Sequence, residues 1–328
     1  FRSATTDVYV AGEYKFLNIG PMIAAVWKNN NKRFDLTSGV TDGRARSVFV
    51  NEGIVYVVGK SDSSAMLWKI DGETVTPIPL PVDHPTSTGS DAVSVYISDN
   101  IVYVAGNYYR GGVESVATLW TINGEVITSS YLTDGNDPNI YSYASSIYVS
   151  NGIVSIAGRH ADYGFGINGG VVWKNTSMSV PIADATFKSI YVSNDVVYVA
   201  GYNNNGAVVW EDGSPTVLDS AGFTDAKASS VFVSDGVVYV LGAYYNDVTD
   251  KYVMSYWKNN DRTDVMQRED VEPYSIYVYG SDVYMAGGYF NDTDAYIATV
   301  FKNTDRTDLT NASISEEASG NSVFVYVH

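Results

Sequence analysis

The stretch Ser47-Val-Phe-Val-Asn-Glu-Gly-Ile-Val-Tyr-Val-Val-Gly59 decides the fold. It holds two runs of β-branched and aromatic residues separated by a short polar turn, and it ends on glycine. That is the pattern of a β-hairpin. The opening phrase, Ser followed by Val or Ile, then Phe or Tyr, then Val or Ile, recurs from Ser94, Ser146, Ser189, Ser230, Ser275 and Ser322. The glycine closing the second run recurs at Gly12, Gly106, Gly158, Gly201, Gly242 and Gly287. A third run ends on an aromatic residue, at Trp27, Trp68, Trp120, Trp173, Trp210, Trp257 and Phe301. A brief fourth run follows, such as Val75-Thr-Pro-Ile78.

Trp27 and Phe301 are six intervals apart, a mean spacing of about 46 residues. No segment sustains an apolar period of 3.6, and Val, Ile, Tyr and Thr lose rotamer freedom in helices. Each repeat therefore predicts four antiparallel strands, counted here from first (innermost) to fourth (outermost). The turns between first and second strands are rich in Asn, Asp and Gly, as in Asp99-Asn100 and Asn151-Gly152. These residues tolerate the positive φ of tight hairpins.

With this period and strand count the chain resembles the seven-bladed β-propellers. Val8-Tyr-Val-Ala-Gly12, followed by a strand with Trp, is similar to the kelch-type blade. The sequence departs from that pattern in that, of the glycines closing the second run, only Gly287 is doubled (Gly287-Gly288), and in having its aromatic on the third strand, so the resemblance implies architecture and no functional residue. The expected fold is all-β: one seven-bladed propeller over residues 1–328, with four antiparallel strands per blade. The first repeat enters at its second strand, and Ser322-Val-Phe-Val-Tyr-Val-His328 is a first strand with no blade behind it. Ring closure by this segment gives a first blade of 8–40 plus 322–328, with further blades from about residues 47, 94, 146, 189, 230 and 275.

The chain carries 37 acidic and 20 basic residues, a formal net charge of −17. That balance argues against nucleic acid and anionic membrane surfaces. No apolar run reaches the length of a membrane span. Cysteine is absent, which excludes disulfides and thiolate sites, and three scattered histidines make a poor zinc set. Neither a metal nor a cofactor is expected. A Tyr-, Asn- and Thr-rich surface, and a chain that begins almost inside a strand, point to an exported monomer: secreted, periplasmic or on the cell surface.

Turns between second and third strands share a face with the connections between blades. These segments vary most in length, so specificity is expected there. They carry Tyr108-Tyr109-Arg110, Arg159-His160, Tyr163, Tyr202-Asn203, Tyr244-Tyr245 and Tyr289. Flat aromatic faces beside amide, carboxylate and guanidinium groups suit a sugar ring, with a protein partner as the alternative. Arg46, Lys60, Arg159 and Lys188 form a candidate cationic cluster for an anionic ligand such as a uronate. Arg159, His160 and Tyr163 also suggest a second alternative, a polysaccharide lyase acting on uronate-containing glycans. The seven repeated serines read as bridges between inner strands, because a nucleophile needs one base and one oxyanion site.

Overall fold

A computed structural model describes residues 5–16, 20–111, 114–311 and 315–328, and every regular element among them is a β-strand. The strands form six hydrogen-bonded sheets. Four have four strands each, and a fifth has its outermost strand broken into the fragments Ser177–Met178 and Ile182–Ala183. The sixth has eight strands, two groups of four joined by a single parallel bridge between Tyr296 and Glu317. In one of those groups the strand Ser315–Val327 pairs antiparallel with Thr6–Phe16, with Val325 opposite Val8 and Val323 opposite Val10. This is the β-propeller architecture.

The hairpin turns follow the sequence signals. Glu52-Gly53, Asp99-Asn100, Asn151-Gly152, Asn194-Asp195 and Asp235-Gly236 all have positive φ at both central positions. Two-residue turns of that kind match the right-handed twist of the strands they join.

Three repeated contacts hold the blades to one another. The first is apolar. All six tryptophans and Phe301 are buried, each 3% exposed or less. Trp68 packs among Tyr9, Ala11, Val26 and Phe34 of the preceding blade, and Trp120 among Tyr56, Val58 and Leu67. The second is polar. Each repeated serine accepts, at its Oγ, the backbone N–H of the residue after the next serine. Ser47 thus takes Val95 at 3.3 Å, and Ser275 takes Val323 at 3.2 Å. Ser322 then takes Val48 at 3.3 Å, which returns the series to its start.

The third contact is an aromatic belt two residues beyond each serine: Phe49, Tyr96, Tyr148, Tyr191, Phe232, Tyr277 and Phe324. Neighbouring ring centroids lie 4.6 to 5.0 Å apart, and Phe324 touches both Tyr277 and Phe49. Neighbouring ring planes are inclined to one another by 47° to 57°. Tilted contacts of this kind suit the quadrupoles of the rings.

Candidate functional site

The site begins with a defect in every first strand. Pairing to the second strand skips one residue immediately before each serine. It passes from Ala45 to Ser47, Ala92 to Ser94, Ala144 to Ser146, Phe187 to Ser189, Ala228 to Ser230 and Pro273 to Ser275. On the C-terminal strand it passes from Gly320 to Ser322. Each skip is a β-bulge, which bends the strand and re-aims the unpaired residue.

The bulge explains the repeated glycine. A Cβ on Gly12, Gly59, Gly106, Gly158, Gly201, Gly242 or Gly287 would overlap a first-strand carbonyl oxygen three residues before the serine. Only glycine lets the two backbones approach so closely.

The seven bulge residues are Arg46, Val93, Ser145, Lys188, Ser229, Tyr274 and Asn321, and all seven line one cavity of about 750 Å³. Tyr143, Lys227 and Glu272, two positions earlier on their strands, line it too, together with Tyr202 and Tyr252. The serines and glycines around this ring repeat, whereas the bulge residues differ from blade to blade.

The walls are electrostatically uneven. On one side the Lys188 and Lys227 ammonium groups stand 6.0 and 5.7 Å from the Tyr202 ring centroid. Lys227 is ion-paired to Asp225 at 2.6 Å, and the Tyr252 hydroxyl donates to the same carboxylate at 3.3 Å. On the next blade Glu272 accepts the hydroxyls of Tyr274 and Tyr296, the latter at 3.1 Å. Burial, reinforced by Glu272, drives the Tyr274 phenol far above its ordinary range, so it stays protonated. Burial and the charge of Glu272 raise the Asp270 carboxyl.

Arg46 lies 3.6 Å from Asp91, a buried carboxylate whose Oδ1 has no hydrogen-bond partner. Burial raises Asp91 and the equally buried Glu13, against the pull of Arg46 on both. Asn321 bridges that corner by donating to Glu13 and to the Ala45 carbonyl.

Of the residues singled out from sequence, the structure brings Arg46, Lys188 and Tyr202 to this cavity. Several others need correction. Tyr108, Tyr244 and Tyr289 are 0%, 2% and 3% exposed and cannot present a face to a ligand. Their strands run past the glycine, to Arg110, Asn246 and Phe290, so alternation turns the second residue after it inward. The Tyr244 and Tyr289 hydroxyls donate to Asp264 and Asp308, with Arg262 and Arg306 stacked on the rings. Tyr108 stacks on His84.

Arg110 is also structural, its guanidinium donating to the carbonyls of Gly135, Asp137 and Ile140 at 2.7, 2.9 and 2.7 Å. Tyr109 is half-buried within electrostatic reach of Asp91 and Tyr143. Tyr245 packs edge-on against Tyr252 and donates to Asp250, and Asn203 accepts Asn205 N–H within its own turn.

The cationic cluster is re-drawn. Lys60 is 3.4 Å from Asp42, and Arg159 is exposed and donates to Asn168. Neither lines the cavity, whereas Lys227 does. The proposed Arg159, His160 and Tyr163 group disperses. Arg159 faces outward, Tyr163 is 72% exposed, and His160 is buried, which lowers its pKa. Sequence reasoning missed Tyr143, Lys227, Tyr252 and Glu272. Counting back one and three residues from each serine would have found three of them.

No protein-family model matches the chain, and no curated protein matches it. Solved structures do. A puromycin hydrolase aligns with a TM-score of 0.61 at 9% identity, over 94% of this chain and 52% of its own. A putative 6-phosphogluconolactonase from Bacteroides uniformis aligns with a TM-score of 0.55 at 13% identity, over 98% and 99%. A Trypanosoma rangeli sialidase in complex with sialic acid gives 0.52 at 12% identity, over 90% and 59%. The chain thus spans between half and three-fifths of the hydrolase and the sialidase. At these identities the likeness is one of fold, and the fold is the β-propeller.

Proposed function

We propose that this chain is a non-catalytic carbohydrate-binding module, exported and monomeric, built as a seven-bladed propeller closed by its C-terminal strand. The serine series and the aromatic belt support seven blades, since each has seven members and returns to its first. Pairing of Ser315–Val327 with Thr6–Phe16 supports the closure.

One observation carries the binding reading: seven bulges turn seven side chains of six chemical kinds into a single funnel. Repeated positions maintain the ring and variable positions meet the ligand, as on other repeat scaffolds. The funnel lining suits a sugar. Tyr143, Tyr202, Tyr252 and Tyr274 offer ring faces for C–H surfaces. Ser145 and Ser229 give and accept hydrogen bonds, and Glu269, Asp270 and Glu272 accept from hydroxyls. A volume of about 750 Å³ is in the range of small-ligand sites. The dispersal of Arg159, His160 and Tyr163 speaks for binding rather than lyase chemistry.

A protein partner remains the second reading, favoured by Tyr163 and Phe165, 72% and 84% exposed on a single loop. A glycan array followed by calorimetry on the hits separates the two. Tyr202→Ala should weaken a glycan at least about tenfold, some 1.4 kcal/mol, with an unchanged melting temperature. Tyr244→Phe should leave affinity unaltered and lower stability by about 1 kcal/mol, through loss of its bond to Asp264. Silence on every glycan, or equal binding by Tyr202→Ala, refutes the carbohydrate reading.

A further inference from the structure

The distribution of charge around the funnel specifies more than "a sugar". Among the cations near its throat, Arg44 is 3.4 Å from Asp42, Arg46 is 3.6 Å from Asp91, and Lys227 is 2.6 Å from Asp225. Lys188 has no ion-pair partner among the described residues, and its side chain is exposed. It occupies a bulge position, so the backbone itself directs it into the cavity. Its ammonium group, like that of Lys227 on the next blade, stands about 6 Å from the Tyr202 ring centroid. Asp225 and, at the blade after that, Glu269, Asp270 and Glu272 line the same cavity. In a chain of net charge −17, an unpaired lysine at the centre of the ring is a focused positive spot.

We propose that the ligand is an acidic sugar, its carboxylate held by Lys188 and Lys227 beside Tyr202 and its hydroxyls turned toward Glu269, Asp270 and Glu272. This rests on the carbohydrate reading and deepens it. The lining changes sign between neighbouring blades, and that fixes one orientation. A carboxylate turned toward Glu269, Asp270 and Glu272 meets like charge, whereas hydroxyls placed there donate to them. A neutral sugar of the same shape leaves Lys188 uncompensated and gains nothing from it.

The test uses short oligosaccharides of galacturonate, mannuronate and glucuronate, each beside its carboxyl-methyl ester, which removes the charge and little else. Calorimetry at low and moderate salt is the readout. At least one acid should bind about tenfold or more tighter than its ester. Added salt should weaken the acid and leave the ester nearly unchanged. Lys188→Gln should bring the acid down to the affinity of the ester with an unchanged melting temperature. Lys188→Arg should keep most of the preference.

Equal binding of every acid and ester, or an acid preference that survives in Lys188→Gln, overturns the inference while the carbohydrate reading stands. Neutral glycans binding where no uronate does has the same meaning. If no glycan of any charge binds, the carbohydrate reading itself has failed.

Discussion

Replacing Gly201 by alanine tests the link between the repeated glycine and the site. Gly201 pairs with Phe187, next to the bulge at Lys188. An added Cβ would overlap the Thr186 carbonyl oxygen, and would stand 3.0 Å from the Thr186 carbonyl carbon and 3.2 Å from Phe187 Cα. All three obstacles are backbone, so no rotamer change relieves them. The two strands must part around Thr186 and Phe187. Overpacking of this kind costs about 1–3 kcal/mol. A weakened ladder bond adds about 1 kcal/mol. With an unfolding entropy of about 2.1 cal/mol/K per residue, a total near 3 kcal/mol lowers the melting temperature of this 328-residue chain by roughly 4 °C. Gly213→Ala is the comparator. Gly213 has φ of +86° and no atom within 4 Å of its Cβ position. Its cost is backbone strain alone, about 1–2 kcal/mol. Differential scanning calorimetry of both variants, with ligand titrations, gives the readout. Gly201→Ala should melt below Gly213→Ala and lose ligand affinity as Lys188 shifts. Equal melting of the two, or a Gly201→Ala variant that melts like the parent, refutes the argument that the bulge requires glycine.

Two further outcomes follow from the proposed closure of the ring. Deleting Ser322–His328 removes the buried Val323 and Val325, one member of the aromatic belt, and the serine bonds to Val48 and from Val323. Two buried valines alone amount to about 3–6 kcal/mol, so the truncated protein should unfold many degrees earlier by circular dichroism, and an unchanged melt would defeat the seven-blade closure. Asp7 joins the two ends of the chain. Burial opposes its ionisation, but hydrogen bonds from Lys28, Asn29 and His328 prevail and hold its carboxyl at about 2, below the ordinary 3.8. A pKa lowered in the folded state gives stability that is fully present above about 3.8 and lost as pH falls toward 2. Asp7→Asn should therefore lose less stability than the parent between pH 4 and pH 2 in denaturant melts, and parallel acid profiles would remove Asp7 from the linkage.

How much was legible in the sequence differs between scaffold and site. The strands, the positive-φ turns and the serine bridges are local or strictly periodic, so seven copies of one phrase announce them. The tyrosines of the loops were misassigned because the reading ended each second strand at its glycine. The strands continue beyond it, and one more step of alternation separates Tyr202, facing the funnel, from Tyr108, Tyr244 and Tyr289, facing the blade. A second signal was available. Arg33-Phe-Asp35, Arg262-Thr-Asp264 and Arg306-Thr-Asp308 occur only in the repeats that carry Tyr14, Tyr244 and Tyr289. In each the arginine stacks on the tyrosine and the aspartate accepts its hydroxyl. A shared motif within the repeats therefore marked those tyrosines as structural. The bulges themselves were not legible, because a bulge is a property of pairing between two strands and neither strand encodes it alone.

The bulges also account for how a monotonous sequence builds an asymmetric site. In a regular strand a residue is bound by both neighbours' register, and changing it disturbs the packing on its face. A bulge residue lies outside the paired register. Its side chain points into open space while the serine after it and the glycine across from it hold the blade. Arg, Val, Ser, Lys, Ser, Tyr and Asn can therefore occupy equivalent positions without altering the ring. The same freedom explains why charge can be concentrated there. Lys188 has no ion-pair partner among the described residues, so its charge is free for a ligand in the proposed site, whereas Arg110, equally cationic, is committed to three carbonyls of the connection to the next blade and the start of its first strand. The proposed recognition site thus falls where the ladder is interrupted, and the contacts that hold the blades fall where it is not.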